Sequence, residues 1–188
     1  MNKKHTNPDH FVLLDRDGVI NVERGDYTKT IEEWKWAPGA LEGIKKLTEA
    51  GFGIIVITNQ SCISKGILTE AELAGLHEFM LGKIRKSGGD ILKIYHCPHQ
   101  RSDGCTCRKP EPGMLLQAAK DYGINLSNTF LVGDAQRDME AARRAGTRSI
   151  LINNISDSSI SKPQPITAEY RTKNLLEAAK IVIEETRL

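Results

Sequence analysis

Residues 11–18 read FVLLDRDG: four apolar residues, Phe11 to Leu14, stop abruptly at the charged turn Asp15-Arg16-Asp17-Gly18. A short apolar run without polar alternation is the signature of a strand buried on both faces of a parallel sheet. The same grammar recurs downstream. GIIVIT (53–58) runs into Asn59-Gln60-Ser61, ILKIYH (91–96) into a cysteine-rich loop, TFLVGD (129–134) ends on Gly133-Asp134, and RSILI (148–152) makes a fifth strand. Helical stretches lie between. One opens at Pro38 and stops at Gly51, and the capping box Thr69-Glu-Ala-Glu72 opens an amphipathic helix reaching Lys86. EPGMLLQAAKDYG (111–123) and QRDMEAARRAG (136–146) each stop on glycine, and a last helix covers about 173–185.

Strand alternating with helix predicts an α/β fold: a mostly parallel sheet with right-handed crossovers and helices on both faces. The 188 residues suit a single domain, 1–188, with a loop at about 96–108 inserted and the Ser/Asn/Pro-rich run 153–167 flexible. Hydrophobic and charged fractions of 39% and 27% exclude general disorder, and a net charge of +2 gives no drive toward nucleic acid or membrane. The polar start MNKKHTNPDH has no apolar core of a leader, and no segment is long enough to span a bilayer. The expectation is a cytoplasmic monomer, with thiols kept reduced.

In such sheets ligands bind beyond the carboxyl ends of the strands. Four polar clusters fall there: Asp15-Arg-Asp17, Thr58-Asn59-Gln60-Ser61, Arg108-Lys109, and Gly133-Asp134. Carboxylates meeting in one crevice repel each other, which a divalent cation resolves, and Mg²⁺ takes a few carboxylates together with water and substrate phosphate. An aspartate can attack phosphorus, and a second carboxylate two residues on can protonate the leaving oxygen and then activate water. A hydroxyl and an ammonium opposite the metal, Thr58 and Lys109, would neutralise the transferring group. Each cluster alone also reads as an ordinary polar turn; their recurrence at successive strand ends favours function.

Three of the four cysteines fall in CPHQRSDGCTC (97–107). Cys97, His99, Cys105 and Cys107 offer four soft ligands, enough to close a tetrahedral Zn²⁺ site with no open position. A redox pair and free buried thiols are the alternatives, and C-x-C spacing beside a histidine weakens the first. A zinc-pinned loop would hold Arg108 and Lys109 over the crevice, and His96 at a strand end suits packing or a backbone hydrogen bond better than metal.

DRDGVIN (15–21), ITNQS (57–61), CRKPEPGM (107–114) and VGDAQRDMEAARRAG (132–146) resemble the motifs of the haloacid dehalogenase superfamily of phosphohydrolases, from Phe11 to about Ile152. The resemblance implies a Rossmann-like domain without a large cap, a small zinc-binding loop, and Mg²⁺ and Zn²⁺ as cofactors. It implies Asp15 as nucleophile and Asp17 as general acid/base, with the Asp17 main chain also at the metal. Thr58, Asn59, Arg108 and Lys109 would bind phosphate or substrate, and Asp134, with Asp138 one helical turn on, would ligate Mg²⁺ or support a ligand.

DRDG with a CPH…C-x-CRKP loop is shared by branches acting on D-glycero-D-manno-heptose 1,7-bisphosphate and on histidinol phosphate. TNQSCISKG (58–66) is closer to the heptose branch, where Lys65 falls at an arginine and could contact a sugar phosphate; it reads equally as an exposed helix-start lysine. Two positions depart from the pattern. Cys62 replaces a glycine, read as a small buried thiol, and Ala135 replaces a lysine after Gly-Asp; Arg137 could compensate, but reads first as an exposed helix residue. Trp34 and Trp36 are expected in edge packing and the closing helix over the sheet. The expected substrate is a small phosphorylated metabolite. A phosphoaspartate receiver and a non-catalytic sugar-phosphate binding module are the readings of other classes; Asp17, suited to rapid dephosphorylation, argues against the first, and the intact catalytic positions against the second.

Overall fold

A computed structural model describes residues 8–152 and 167–186. Six strands form one parallel sheet in the order β3-β2-β1-β4-β5-β6, with β1 Phe11–Leu14, β2 Gly53–Asn59, β3 Lys93–Cys97, β4 Phe130–Gly133, β5 Arg148–Ile152 and β6 Tyr170–Thr172. Four helices cross between successive strands, α1 Ala40–Glu49, α2 Glu70–Lys86, α3 Gly113–Tyr122 and α4 Gln136–Ala145, and α5 Leu175–Thr186 follows β6. This is the expected Rossmann-like architecture, with no cap domain among the described residues.

The apolar strands divide by residue parity, as a pleat requires. Val12 and Leu14 of β1 join Val56, Val132 and residues of α1, α2 and α5 in one core. Phe11 and Leu13 face the other way, onto Ile57, Leu131 and residues of α3 and α4. Both faces are covered, which is why these strands read as continuous apolar runs. At α2 the Thr69 hydroxyl accepts from Glu72 N while Glu72 Oε2 accepts from Thr69 N, the anticipated capping box. The flexible-loop assignment at 153–167 falls, but for Thr167, outside the described residues.

Two differences from the sequence reading stand out. Strand β6 was not anticipated; it has three residues at the sheet edge, too few for a period-two pattern to register. Strand β3 runs to Cys97, so the cysteine loop begins on the last residue of the sheet itself. Among the described residues no helix is long and apolar enough to cross a membrane.

The strand order reverses direction between β1 and β4, opening a crevice beyond their carboxyl ends. Asp15 follows the last residue of β1 and Asp134 the last of β4, so the fold brings the two acidic turns side by side.

Candidate active site

Lys109 is the hub of the crevice, although it leaves the cysteine loop far away in sequence. Its side chain is buried, and its ammonium donates to the Ile57 carbonyl at 2.7 Å and lies 2.9 Å from Asp15 Oδ1 and 2.7 Å from Asp138 Oδ1. The ammonium thus makes one hydrogen bond, to a backbone carbonyl, and is paired by charge with two buried carboxylates. Asn59 fixes the Lys109 backbone from both sides, its Nδ2 donating to the Lys109 carbonyl and its Oδ1 accepting from Lys109 N, each at 3.0 Å. Asp15 Oδ1 also accepts from Arg16 N at 2.7 Å.

One ammonium does not balance the carboxylates gathered here. Asp15, Asp134 and Asp138 each offer an oxygen within 4.8 Å of the others. Burial pushes Asp15 up to about 7, with Asp138 and Asp134 adding to the rise and Lys109 opposing it. Burial likewise lifts Asp134 to about 7, reinforced by Asp138. Asp134 Oδ1 is buried without a hydrogen-bond partner, its nearest cation being Arg137 at 3.9 Å. An all-oxygen donor set with an orphaned carboxylate oxygen fits Mg²⁺. Gly18 completes the cradle: at φ +80° it leaves room where a Cβ would lie 1.8 Å from Asp134 Oδ2.

The Asp17 carboxylate stands outside that trio. Arg16 Nη2 donates to both of its oxygens at 2.9 Å, Asn21 Nδ2 to Oδ1 at 2.8 Å and Gln60 Nε2 to Oδ2 at 2.8 Å. Burial would raise its pKa, but the Arg16 guanidinium and these hydrogen bonds outweigh that and hold it below the usual carboxylate value. Gln60 Nε2 also donates to Thr58 Oγ1 at 2.8 Å, tying the hydroxyl to the same network. Cys62 is fully buried, as expected of its thiol, with Sγ 3.5 Å from Gln60 Oε1.

A cavity of about 190 Å³ opens over these groups, lined by Asp15, Asp17, Thr58, Asn59, Arg108 and Arg137 together with Glu23, Arg24, Gly25, Tyr27 and Ser61. A second cavity of about 450 Å³ follows the loop 100–111 and shares Arg108. Arg137, expected as an exposed helix residue, has a side chain 39% exposed and also lines the first cavity. Lys65 stops at its rim. It donates to Tyr27 Oη at 2.9 Å and lies over that ring, and it is Tyr27, at φ +69°, that lines the cavity.

The four cysteine-loop ligands also converge. Cys97, Cys105 and Cys107 Sγ lie 3.2–3.7 Å apart, with His99 Nδ1 3.6 Å from Cys97 and 3.3 Å from Cys107. These separations are too long for a disulfide and resemble the edges of a tetrahedron around one soft cation. Arg108 Nη1 donates to the His99 carbonyl at 2.9 Å, so the loop steadies the first of its two cations directly. His96 is not a fifth ligand, nor packed in the core; its Nε2 pairs with Glu70 Oε2 at 3.0 Å. Trp34 sits in the core, edge-on to Trp36 and Phe79.

Sequence reasoning missed the groups around Asp17. Arg16 is only 1% exposed, and beyond it His77 of α2 meets Arg16 Nη1 at 3.1 Å. A charged residue in a strand-end turn reads as solvated, and a histidine inside a helix carries no positional signal. Asn21 and Gln60 lay within the quoted motifs without a role.

A family model described as HAD-hydrolase-like matches residues 106–178. A D-glycero-β-D-manno-heptose-1,7-bisphosphate 7-phosphatase of Pseudomonas aeruginosa is 43% identical over 142 residues, 76% of this chain and 80% of that protein. A D-glycero-α-D-manno-heptose-1,7-bisphosphate 7-phosphatase of Photorhabdus laumondii is 37% identical over 178 residues, covering 90% and 94% of the two chains. The crystal structure of a D,D-heptose 1,7-bisphosphate phosphatase from B. bronchiseptica, complexed with magnesium and phosphate, superposes with a TM-score of 0.84 at 33% identity, covering 94% of this chain and 99% of that one.

Proposed function

The chain belongs to the haloacid dehalogenase-like phosphatase family, and on that footing we propose that it hydrolyses the 7-phosphate ester of D-glycero-D-manno-heptose 1,7-bisphosphate through an aspartyl-phosphate on Asp15. The observation that carries the chemistry is the single buried ammonium of Lys109 between Asp15 and Asp138, beside the unpaired oxygen of Asp134. The substrate is supported by the names of the relatives and by the larger cavity beside Arg108, which offers room for a sugar beyond its reacting phosphate.

Asp15 Oδ1 is engaged by Arg16 N and Lys109, which leaves Oδ2 to attack phosphorus. The bond from phosphorus to the sugar oxygen breaks, and Asp17 gives that oxygen its proton. The arriving phosphate dianion offsets Arg16 and raises the proton affinity of Asp17. In the second half Asp17 takes a proton from water, the water oxygen attacks phosphorus, and the bond to Asp15 breaks to release inorganic phosphate. Thr58 and Arg108, which line the cavity, would face the phosphoryl oxygens, and Lys109 would add its charge from beside Asp15. Mg²⁺ held by Asp15, Asp134, Asp138 and the Asp17 main chain would supply positive charge against the phosphate and the clustered carboxylates. Zn²⁺ on Cys97, His99, Cys105 and Cys107 would be structural, the donor set being closed.

The protein acts in this reading as a cytoplasmic monomer, in surroundings where the three thiols of the cysteine loop stay reduced. The test is kcat/KM with Mg²⁺ on both anomers of heptose 1,7-bisphosphate and on histidinol phosphate. A hundredfold preference for either heptose, about 2.7 kcal/mol of transition-state discrimination, is expected, and phosphate release should vanish in Asp15→Asn. A preference for histidinol phosphate would overturn the substrate; activity in Asp15→Asn would overturn the mechanism.

A further inference from the structure

Asn21 and Gln60 each hold one oxygen of the Asp17 carboxylate, and the group that grips both oxygens belongs to a residue outside the cavity lining. Arg16 follows the nucleophile, yet its side chain turns inward and is buried under Trp34, with Cζ 5.8 Å from the indole centroid. Its Nη2 forks Asp17, and its Nη1 lies 3.1 Å from His77 Nε2. A guanidinium only donates, so Nε2 is the acceptor and the ring carries its proton on Nδ1. Burial and the adjacent guanidinium push His77 down to about 3, which keeps it a neutral acceptor. The His96 ring, 6.2 Å away on β3, is itself paired with Glu70.

This arrangement is costly. Arg16 Nε is buried without a hydrogen-bond partner, and a desolvated ion pair is seldom a better core than apolar side chains. Two fixed contacts, one to His77 and one to Asp17, define the guanidinium plane. Remove the first and the fork can pivot; the carboxylate then loses its aim at the leaving oxygen.

We propose that His77 is a positioning residue for the reaction: from α2 it holds the Arg16 guanidinium in the orientation that forks Asp17 and aims its carboxylate at the leaving oxygen. This rests on the reading of Asp17 as proton donor, and the test separates the two. Two esters are compared with Mg²⁺ present: p-nitrophenyl phosphate, whose nitrophenolate departs without a proton, and glycerol 2-phosphate, whose alkoxide must be protonated. kcat/KM reports the steps up to the aspartyl-phosphate, where that difference lies.

Asp17→Asn calibrates the effect, with an expected loss of about a hundredfold on the glycerol ester and less than about threefold on the nitrophenyl ester. His77→Leu should lose about tenfold or more on the glycerol ester alone. His77→Gln, whose amide oxygen can accept from Arg16, should recover most of it. Arg16→Lys, which keeps the charge and loses the fork, should show the same selective loss and carries the test if His77→Leu does not fold. Equal losses on both esters in His77→Leu, or none, would overturn the proposal while leaving Asp17 intact. An Asp17→Asn variant that spares the glycerol ester would overturn the reading of Asp17 and this inference with it.

Discussion

Asn59 and Lys109, fifty positions apart, are joined by two hydrogen bonds, each 3.0 Å, between one side-chain amide and the backbone of the other residue. The contact clamps the end of the cysteine loop to the end of β2, so that the Lys109 side chain enters the crevice from a fixed point. Asn59 therefore acts on the phosphate chiefly through lysine. Asn59→Ala removes both bonds, worth about 1–3 kcal/mol together. We expect kcat/KM to fall about tenfold or more, with the fold retained by circular dichroism; wild-type kinetics would show that Lys109 needs no clamp.

Gly18→Ala would thrust a methyl group at Asp134 Oδ2 and force an L side chain to φ +80°. The backbone strain alone costs about 1–3 kcal/mol. The sharper expectation is functional: the Mg²⁺ concentration for half-maximal activity should rise at least about tenfold, because Asp134 must move. A variant with unchanged Mg²⁺ dependence would place the metal elsewhere.

The carboxylate trio links metal to pH. Asp15 and Asp134 have folded-state pKa values raised to about 7 from 3.8. The folded, metal-free protein therefore holds more protons than the unfolded chain between about pH 4 and 7, and its stability falls as pH rises through that window. Mg²⁺ offsets the repulsion that appears on ionisation. The rise in Tm on adding Mg²⁺ should be larger at pH 8 than at pH 5; equal shifts would mean that these carboxylates do not bind it.

His77 works in the opposite sense. Its folded pKa lies near 3, below the ordinary 6.5, so the unfolded chain binds the extra proton and stability is lost as pH falls below about 6.5. By pH 5 the loss attributable to His77 is about 2 kcal/mol. His77→Gln should lose correspondingly less Tm between pH 7 and pH 5 than the parent protein does. Parallel losses would show that His77 is protonated in the folded state.

Cys107→Ala removes a donor in contact distance of the other three, whose atoms lie 3.3 Å (His99), 3.2 Å (Cys97) and 3.4 Å (Cys105) away. Zinc content by elemental analysis should fall well below one per chain, Tm should drop, and kcat/KM should fall because Arg108 and Lys109 follow directly. A stable, fully active, zinc-free variant would separate the loop from catalysis.

The strand ends were legible in the sequence because β1, β2 and β4 are buried on both faces and read as apolar runs, so Asp15, Thr58 and Asp134 stand out where those runs stop. The four soft donors were legible because metal ligation demands particular residue types at close spacing. What escaped was whatever depends on depth. Nothing in DRDG says that its arginine turns inward, or that the histidine it meets is His77, sixty-one residues away on a helix. Lys65 was open in the sequence, as a sugar-phosphate contact suggested by the resemblance or as an exposed lysine, and only the structure shows its hydrogen bond to Tyr27.

The cysteine loop is pinned at both roots, at Cys97 by the sheet and at Lys109 by Asn59, while Arg101–Asp103 between them form an exposed 3₁₀ turn. Lengthening a flexible, solvated segment costs little, about 0.6 kcal/mol per doubling, and here no strain would pass beyond the four donors. The turn at 101–103 is therefore a natural insertion point, where added residues could build a new wall along the larger cavity and redirect substrate choice while the phosphate-handling lysine stays in place.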